Sequence, residues 1–476
     1  MPAPCASQPE DSGGALFTPA KIVGSLRSFS NTSATRTVSF RVEQLRALSS
    51  AISRFEKDLS DALYADLRKP PVEAYTSEIG YVQTDISHAI RHLPRWTKTE
   101  KRRSPLLAWP ARSFVCSEPY GVALIIGPWN YPFQLLLSPM VAALAAGNCV
   151  CLKPSELAPN VSSVVRRMIQ SVFPANYVSV VEGGREETEA LLSEHFDYIF
   201  FTGSSAVGRA VMRAAAKHLT PVTLELGGKS PVIVCRDVNL DTTARRILWG
   251  KFMNAGQTCV APDYVLVDES IRESLLSALA KALGQFTGGS AQKSPHFGRI
   301  INQKHCERLV GYLSQGRIVC GGEYDLDDHF VGPTILADVD PQSPVMQEEI
   351  FGPILPVIGF DTLSEVLDLL GARPKPLALY VFAEDLEIQR KVIGQTSSGG
   401  ICINDTICHI IGKDLPFGGV GESGMGAYRG KAGFDTFTHY KSVMRRSLRI
   451  DPQIRYSPAA ISLKRMKQIY HYLLGG

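Results

Sequence analysis

VALIIGPWNYPFQLLLSPMVAALAAGNCVCLK, residues 122–153, is the stretch of sequence that decides the fold. It predicts a short apolar strand at 122–126, a loop rich in proline and glycine, an apolar helix at 133–146 and a second strand at 149–152. A strand, a helix that is apolar all round and another strand indicate parallel strands joined by a buried crossover. The prolines and glycines in this stretch would break a membrane-spanning helix, so we expect a soluble protein.

The alternation of strand and helix continues on both sides of this unit. Further strands are predicted at 178–181, 198–201 and 222–226, and further helices at 161–172, 186–192 and 206–218. A second unit follows, with strands near 231–234, 263–267 and 377–382 and helices near 240–253 and 269–284. Residues 1–100 are predicted to be mostly helical, for instance at 40–64. We therefore expect an α/β protein whose parallel sheets are covered on both faces.

Length and composition exclude several classes of protein. A chain of 476 residues corresponds to two or three domains, and 45% hydrophobic with 20% charged residues excludes a collagen, a coiled coil and a wholly disordered chain. The ten cysteines show neither a Cys-x-x-Cys pair nor zinc spacing, so no metal site is predicted. Reduced thiols and the lack of a signal-peptide pattern favour a cytoplasmic protein, although residues 12–42, free of acidic residues, leave organellar import open.

The basic residues are concentrated at the C-terminus. From Lys441 onward, eight Lys or Arg residues stand against one acid, Asp451, whereas the net charge of the whole chain is only +4. The body therefore has no charge suited to nucleic acid. Apolar residues at helical spacing after residue 461 predict a helix in the basic tail at 451–476. This helix either packs on protein, remains solvated, or makes a peripheral membrane contact.

Three familiar nucleotide-binding and hydrolase motifs are absent. The glycines of Gly203-Ser-Ser-Ala-Val-Gly208 are wrongly spaced for the classical dinucleotide fingerprint. A P-loop ending at Gly228-Lys-Ser230 would need glycine where Thr223 stands, and a serine-hydrolase elbow around Ser423 would need glycine at Met425. Gly203–Gly208 nevertheless follows a predicted strand and opens a helix, where backbone N–H groups can bind an anion or simply form a turn.

Three polar residues stand in positions that suit chemistry. Cys259 lies in a polar turn that contains glycine, where a thiolate is accessible, although a lone cysteine is commonly a small buried residue. Glu225 lies between two leucines before two glycines, and its burial requires either a function or a partner such as Lys229. Glu349 follows Glu348 before an aromatic residue and a sharp turn, or else these carboxylates end a solvated helix.

Seven motifs in one order give the chain a family resemblance. They are Pro128-Trp-Asn-Tyr-Pro132, Lys153-Pro-Ser-Glu156, Phe201-Thr-Gly-Ser204, Leu224-Glu-Leu-Gly-Gly228, Gly256-Gln-Thr-Cys259, Glu349-Ile-Phe-Gly-Pro353 and Pro416-Phe-Gly-Gly-Val-Gly421. Over about residues 20–447 the chain resembles the aldehyde dehydrogenase superfamily. The segment around Asn254–Tyr264 and the ending His439…Lys441-Ser442 look like the class 3 branch, which includes fatty aldehyde dehydrogenases.

The resemblance implies the reaction and its catalytic residues. It implies oxidation of aldehydes, medium- or long-chain aliphatic or aromatic, to carboxylic acids by NAD or NADP. Cys259 would be the nucleophile that carries a thioester, and the Asn130 side chain would bind the oxyanion. Glu225 matches the family's general base, and Glu349 is a competing candidate for that role.

The resemblance also implies where the cofactor binds. The matching positions are Trp129, Lys153, Glu156, Thr202, Gly203, Ser204, Gly208, Leu226, Glu349 and Phe351. A carboxylate at Glu156 favours NAD because it would repel the 2′-phosphate of NADP, yet the class accepts both cofactors.

The resemblance implies an aldehyde dehydrogenase-like fold and divides the chain into three regions. A Rossmann-like cofactor domain would comprise residues 1–99 and 122–224, a catalytic domain 225–407, and an oligomerisation arm 100–121 and 408–450. A homodimer is expected from the class. Two alternatives stay open, namely a dehydrogenase that passes its thioester to coenzyme A and a catalytically idle protein on the same fold. The presence of Glu225, which acylating relatives generally lack, favours hydrolysis.

Overall fold

The computed structural model describes residues 18–105, 108–451, 456 and 461–473. Its α-helices are α1 (Pro19–Asn31), α2 (Val38–Arg54), α3 (Glu56–Leu67), α4 (Pro71–Ala74), α5 (Gly80–Trp96), α6 (Gln134–Ala146), α7 (Pro159–Gln170), α8 (Arg185–Leu192), α9 (Ser205–Ala216), α10 (Leu240–Phe252), α11 (Arg272–Thr287), α12 (Gln303–Val310), α13 (Pro344–Gln347), α14 (Leu363–Ala372), α15 (Leu386–Gln395), α16 (Gly430–Thr436) and α17 (Leu463–Leu473).

The strands fall into three sheets and one hairpin. They are β1 (Glu100–Arg102), β2 (Ala111–Pro119), β3 (Val122–Ile126), β4 (Cys149–Lys153), β5 (Val178–Val180), β6 (Tyr198–Thr202), β7 (Val222–Glu225), β8 (Pro231–Val234), β9 (Tyr264–Asp268), β10 (Arg317–Cys320), β11 (Tyr324–Asp325), β12 (Phe330–Val331), β13 (Thr334–Ala337), β14 (Ile354–Phe360), β15 (Ala378–Phe382), β16 (Gly400–Ile403), β17 (Gly424–Met425) and β18 (Thr438–Arg446).

The first sheet has six strands in the order β17-β7-β6-β3-β4-β5. All its pairs are parallel except β17 with β7. The chain builds β3, β4 and β5 outward in one direction and then returns to place β6 and β7 on the other side of β3. The strand order therefore reverses between β3 and β6, and in open α/β sheets ligands bind outside the carboxyl ends of the strands at such a reversal.

The sequence explains why this sheet is buried on both faces. Every residue of β3, β4 and β6 is buried, as their continuous apolar runs predict. The crossover helix α6 is buried along almost its whole length and packs against α2 and α5. The predicted α/β fold is therefore confirmed. The helix predicted at 40–64 is interrupted at Phe55, which leaves helical geometry and separates α2 from α3.

The second sheet has seven strands in the order β10-β13-β14-β9-β8-β15-β16. All neighbours are parallel except the edge pair of β10 and β13. A third sheet, β1-β2-β18, is antiparallel, and its central pair aligns Ala111–Pro119 with Thr438–Arg446. Of the segment 408–450 that the resemblance assigned to an arm, β18 belongs to this sheet, whereas β17 joins the first sheet and α16 packs on α6.

The C-terminal helix is present where the sequence predicts one. α17 spans Leu463–Leu473, and the side chains of Leu463 and Tyr472 are largely exposed. The rest of the predicted basic tail, except 451, 456 and 461–462, lies outside the described residues. No helix in the described part of the chain is long and apolar enough to cross a membrane.

Candidate active site

The residues singled out in the sequence meet at the carboxyl edge of the first sheet. Ile126, which ends β3, pairs with Lys153 at the end of β4 and with Phe201 on β6. Thr202 ends β6 beside Glu225, which ends β7. Parallel strands thus bring residues from three separate motifs, and the start of the loop that carries a fourth, to one edge, at the reversal of strand order where a ligand is expected.

The loop that carries Cys259 begins with an unusual backbone. Asn254 and Ala255 have positive φ angles of 53° and 51°, and Gly256 follows at 76°. Non-glycine residues in this region cost of order 1–3 kcal/mol each, so the surroundings must hold them there. Gly256 is needed for a second reason, because a side chain at this position would collide with the carbonyl of Gly352. The loop is therefore fixed before any ligand binds.

Hydrogen bonds hold this strained loop in place. Asn254 N donates to the Glu73 carboxylate at 2.7 Å. The Gln257 side chain donates to Arg299 O at 2.9 Å and accepts from Ile301 N at 3.0 Å. These buried contacts anchor both ends of the turn that leads into Cys259.

Asn130 lies against the same loop. Its side-chain Nδ2 donates to Gln257 O at 2.9 Å, two residues before the thiol. Its own carbonyl accepts from Asn254 Nδ2 at 2.8 Å. The next residue, Tyr131, is hydrogen-bonded through its hydroxyl to Thr258 Oγ1 at 2.7 Å. The amide of Asn130 and the Cys259 loop are therefore positioned by one shared network.

A buried ion pair supports the Asn130 loop from below. Lys69 and Glu78 are both fully buried and form a salt bridge. Lys69 Nζ also donates to Asn130 O at 3.1 Å. Glu78 Oε2 accepts from the backbone N–H groups of Phe133 and Gln134 at 3.0 Å each, at the start of α6. The start of a helix also stabilises a negative charge. Both members of this buried pair therefore have partners that offset the cost of burying their charges.

Glu225 is buried without such partners. Its side chain is 2% exposed, and neither carboxylate oxygen has a hydrogen bond. Lys229, the partner considered from the sequence, instead binds Asp263 at 2.5 Å. Burial raises the pKa of Glu225 well above its usual value, and the nearby Arg429 opposes this only in part. A buried carboxyl group with a raised pKa is the kind of group that general acid–base catalysis uses.

Glu349 approaches from the second unit. Its Oε2 lies so close to Gly227 that any side chain at that position would collide with it. Its Oε1 is buried without a hydrogen bond. Burial and the neighbouring Asp263 raise the pKa of Glu349 to about 8. Its neighbour Glu348 is exposed and accepts from the Tyr312 hydroxyl at 2.6 Å, so only one carboxylate of this pair faces the site.

The thiol of Cys259 lies within the electrostatic field of both carboxylates. Burial, followed by the charges of Glu349 and Glu225, raises the pKa of Cys259 to about 12, and Arg429 lowers it. Since the group is a neutral thiol at physiological pH, a base must take its proton before it can act as a nucleophile.

A cavity of about 180 Å³ is lined in part by Cys259. Its lining is mostly aromatic and aliphatic: Tyr81, Tyr131, Leu135, Trp249, Met253, Val260, Ile407, Ile410, Ile411 and Phe417, together with Thr76, Ser77, Gln134, Thr258, Cys259 and Arg429. Such a lining suits an apolar chain whose reactive end meets the thiol.

The residues matched to cofactor contacts surround the other side of the same edge. The Thr202 hydroxyl is buried without a partner, and Ser204 caps α9 by accepting from Val207 N at 3.4 Å. Gly208 lacks a side chain where Leu226 approaches, since a Cβ there would lie 2.7 Å from it. This cradle, with a free hydroxyl and the first turn of α9, fits a dinucleotide phosphate group.

The predicted ends of the cofactor site lie on either side of this cradle. Lys153 is buried and donates to Pro154 O at 2.8 Å and Gly183 O at 2.6 Å. Glu156 is half exposed, 4.0 Å from the Lys153 ammonium group. At the opposite end, the rings of Trp129 and Phe351 meet edge to face, 5.3 Å apart.

Sequence reasoning missed the supporting residues of the site. Glu73 comes from α4, Glu78 from the helical turn after it and Lys69 from the loop before it, and Arg429 comes from the segment after the last motif. The only signal was the presence of charged residues inside otherwise apolar helical patterns. Which of them pair, and with what, depends on contacts between residues more than 50 positions apart, as between Glu78 and Phe133.

Comparisons with known proteins agree with this arrangement. The sequence model described as "Aldehyde dehydrogenase family" matches residues 22–443. The chain belongs to the aldehyde dehydrogenase family. It is 50% identical over 446 residues to 4,4′-diaponeurosporen-aldehyde dehydrogenase of Staphylococcus aureus. The match covers 93% of this chain and 97% of that protein. The predicted family and its enzymatic activity are thereby confirmed.

The class 3 resemblance and the fold are supported in the same way. This aldehyde dehydrogenase is 47% identical to the dog protein named "Aldehyde dehydrogenase, dimeric NADP-preferring", over 94% of this chain and 99% of that protein. The solved structure of substrate-bound S. aureus AldH superposes with a TM-score of 0.93 at 48% identity, covering 96% of this chain and all of that one. The chain is therefore an aldehyde dehydrogenase that oxidises aldehydes with NAD or NADP, and neither alternative function is favoured.

Proposed function

We propose that Cys259 carries the reaction as a covalent thioester. A carboxylate takes the proton from Sγ, and the thiolate attacks the carbonyl carbon of an aldehyde bound in the apolar cavity. The oxygen becomes negatively charged, and the side-chain amide of Asn130 with the backbone N–H of Cys259 stabilises it by a few kcal/mol per donor. NAD or NADP supplies a two-electron oxidant when bound. Oxidation of the tetrahedral adduct leaves an acyl group on Cys259.

The second half of the reaction is hydrolysis of that acyl group. We assign the proton transfer from water to Glu225, because its carboxyl group is buried, has no hydrogen-bond partner and has a raised pKa. Glu349 competes for the role, with its pKa at about 8, and we assign it chiefly to orienting the nicotinamide end of the cofactor. The products are a carboxylic acid, reduced cofactor and a proton.

The substrate class follows from the cavity lining. Aromatic and aliphatic side chains cover most of the wall, so the favoured substrates have an apolar body of medium or long chain length, or an aromatic ring. The cofactor preference is proposed from Glu156, whose half-exposed carboxylate would repel a 2′-phosphate and favour NAD. The dog relative is named as NADP-preferring, so NADP is retained as the alternative cofactor.

A homodimer is proposed from the relatives and from the sheet edges. The dog relative is named as dimeric. In the described part of the chain, β18 and β16 each form one edge of their sheets, and an open edge can pair with a strand of a second copy. A cytoplasmic location and a membrane contact through the tail stay predictions, and the comparisons lend the membrane contact no support.

One observation carries this proposal. Cys259 lines an apolar cavity, Asn130 donates a hydrogen bond to the loop that carries it, and the charges of two carboxylates with unpaired buried oxygens act on its thiol. The test is oxidation of n-alkanals from propanal to hexadecanal, followed by NADH or NADPH absorbance with each cofactor. A rate that rises with chain length and is higher with NAD supports the proposal. A preference for the shortest aldehydes would contradict the assigned cavity.

A further inference from the structure

The cavity that Cys259 lines contains one charged side chain besides its apolar wall. Among the described residues that line it, only Arg429 is charged. Its side chain is 95% buried, since the residue is 5% exposed. A guanidinium group removed from water costs several kcal/mol unless it is both paired and hydrogen-bonded, so its presence in this cavity requires a reason.

Two of the three guanidinium nitrogens of Arg429 are buried without a hydrogen-bond partner. Nε and Nη1 are both buried and donate no hydrogen bond. The guanidinium group lies instead over the rings of Tyr81, Phe417 and Tyr428, at 4.6, 5.3 and 5.0 Å from their centroids. Aromatic faces attract the charge but do not accept its N–H groups in the fork geometry that carboxylates offer.

The acidic groups near Arg429 do not accept hydrogen bonds from it. Asp85 is already bound by Lys413 and by the Ser138 hydroxyl, each at 2.5 Å. Glu225 interacts with Arg429 through space, but neither of its oxygens accepts a hydrogen bond. The remaining polar neighbours, the Tyr428 hydroxyl and the His409 ring nitrogens, are also without partners.

The backbone at Arg429 shows that its position is imposed. Its φ angle is 92°, a conformation that residues with side chains rarely adopt and that costs of order 1–3 kcal/mol. Strain, a buried charge and unused donors occur together at one residue that faces the substrate cavity. Sites that combine these features commonly bind a ligand.

We propose that Arg429 binds a carboxylate on the far end of the aldehyde itself, so that the preferred substrates are ω-oxo carboxylates. This inference rests on the proposed function and specifies its substrate. The substrate OHC–(CH2)n–COO⁻ would place its aldehyde carbon at Cys259, its methylene groups against the apolar wall and its carboxylate on the guanidinium group. With water and oxidised cofactor, it yields the dicarboxylate, reduced cofactor and two protons.

The experiment compares three substrate series of matched length in the full chain. They are ω-oxo carboxylates, their methyl esters and n-alkanals, each measured as kcat and KM for the wild type, Arg429→Met and Arg429→Lys. The methyl ester keeps oxygen acceptors but lacks the charge, so it separates hydrogen bonding from ion pairing. Arg317→Met is the matched control, because this half-exposed arginine pairs with Asp338 outside the cavity.

The wild type should show kcat/KM for one length of ω-oxo carboxylate about 10- to 100-fold above the alkanal of that length, the range expected of hydrogen bonds between charged groups. Arg429→Met should remove this advantage through KM. It should also lower kcat for all three series by one common factor, because Arg429 lowers the pKa of the Cys259 thiol. Arg429→Lys should retain part of the advantage, because it keeps the charge without the fork. Arg317→Met should change neither series.

Three results would overturn the inference. The first is a wild type that oxidises alkanals as well as ω-oxo carboxylates of every length. The second is an equal loss of kcat/KM for all three series in the Arg429 variants, which would make Arg429 a group that acts only on the thiol. The third is a preference for the methyl esters over the free carboxylates. If Arg429→Met does not fold, Arg429→Lys and the wild-type series decide the matter. A wild type that oxidises no aldehyde at all would instead refute the proposed function.

Discussion

Two buried glutamates, Glu78 and Glu225, differ in whether the protein gives their carboxylates ion-pair and hydrogen-bond partners. Glu78 pairs with Lys69 and accepts two backbone N–H groups at the start of α6. Glu225 is as deeply buried, yet neither of its oxygens has a hydrogen bond and its pKa is raised. The first carboxylate is satisfied by the fold alone. The second has oxygens that remain available to bind a proton, a water molecule or a substrate.

This difference separates the carboxylate that stabilises the structure of the site from those available for the reaction. The Lys69–Glu78 pair fixes the loop that carries Asn130 through the Lys69 contact with Asn130 O. Glu225 and Glu349 instead retain oxygens without partners beside the thiol of Cys259. A carboxyl group that has no fixed partner costs stability, and such a cost is found where function requires it. The comparison predicts opposite responses to the same substitution at the two kinds of position.

The largest expected effect concerns the thiol itself. Cys259→Ala removes the group that forms the covalent bond, so aldehyde oxidation should fall by at least roughly 1000-fold. Cofactor binding, measured by fluorescence quenching, and the melting temperature should change little, because the thiol packs in no hydrogen-bond network. Cys306→Ala serves as a control, since Cys306 is buried away from the cavity lining. Substantial turnover in the Cys259 variant would contradict the assignment.

The next effect is on stability. Glu78→Gln leaves the buried Lys69 without its counter-ion, so the free energy of unfolding should fall by about 3–5 kcal/mol. Glu225→Gln removes a buried carboxyl group that has no partner, and the free energy of unfolding should remain equal or increase at neutral pH. Urea unfolding followed by circular dichroism measures both. Equal losses in the two variants would show that the contrast between the sites is wrong.

A smaller effect distinguishes the two carboxylates in the reaction. In Glu225→Gln, the first-turnover burst of reduced cofactor should persist while the steady-state rate falls about 100-fold, because oxidation precedes hydrolysis. In Glu349→Gln, the burst itself should slow, because Glu349 is assigned to orienting the nicotinamide. Stopped-flow absorbance with saturating aldehyde measures both phases. If only the Glu349 variant accumulates acyl-enzyme, the base is Glu349.

The last effect, the smallest for each pH unit, is the pH dependence of stability caused by Glu349. Its pKa is about 8 in the folded protein and 4.5 as its ordinary value, so between these values the folded state holds a proton that the unfolded state has lost. The free energy of unfolding should therefore fall as pH rises through this window, by at most ~1.4 kcal/mol per pH unit, and level off above about pH 8. Glu349→Gln should reduce this slope in urea unfolding measured at several pH values, and Glu225, whose pKa is also raised, contributes part of the slope that remains. An unchanged slope would assign it to other groups.

The parallel strands and the crossover helix of the first sheet were predictable from the sequence. Continuous apolar runs with glycine and proline at their ends specify β3, α6 and β4 within one or two residues. Because these strands are parallel and neighbouring, the motifs at their carboxyl ends had to meet at one edge. The break at Phe55 was not predictable, since the apolar periodicity continues through it.

The ion-pair and hydrogen-bond partners of the charged residues in the site could not be predicted from the sequence. Lys229 was a reasonable partner for Glu225 because it lies four residues away, yet the chain turns it toward Asp263 on another loop. Likewise, nothing near Arg429 in the sequence shows that three aromatic rings surround it and that no acid accepts its N–H groups. Such pairings depend on tertiary contacts between distant segments rather than on local pattern.

The most direct test of the central claim is to trap the covalent intermediate. Glu225→Gln enzyme mixed with hexanal and NAD should be quenched in acid within the first turnovers, and its intact mass and peptide masses measured. Since acylation precedes hydrolysis, a hexanoyl group should appear on the peptide that contains Cys259 and be absent in the Cys259→Ala, Glu225→Gln double variant. No acyl group during active turnover, or an acyl group on a different cysteine, would contradict the account.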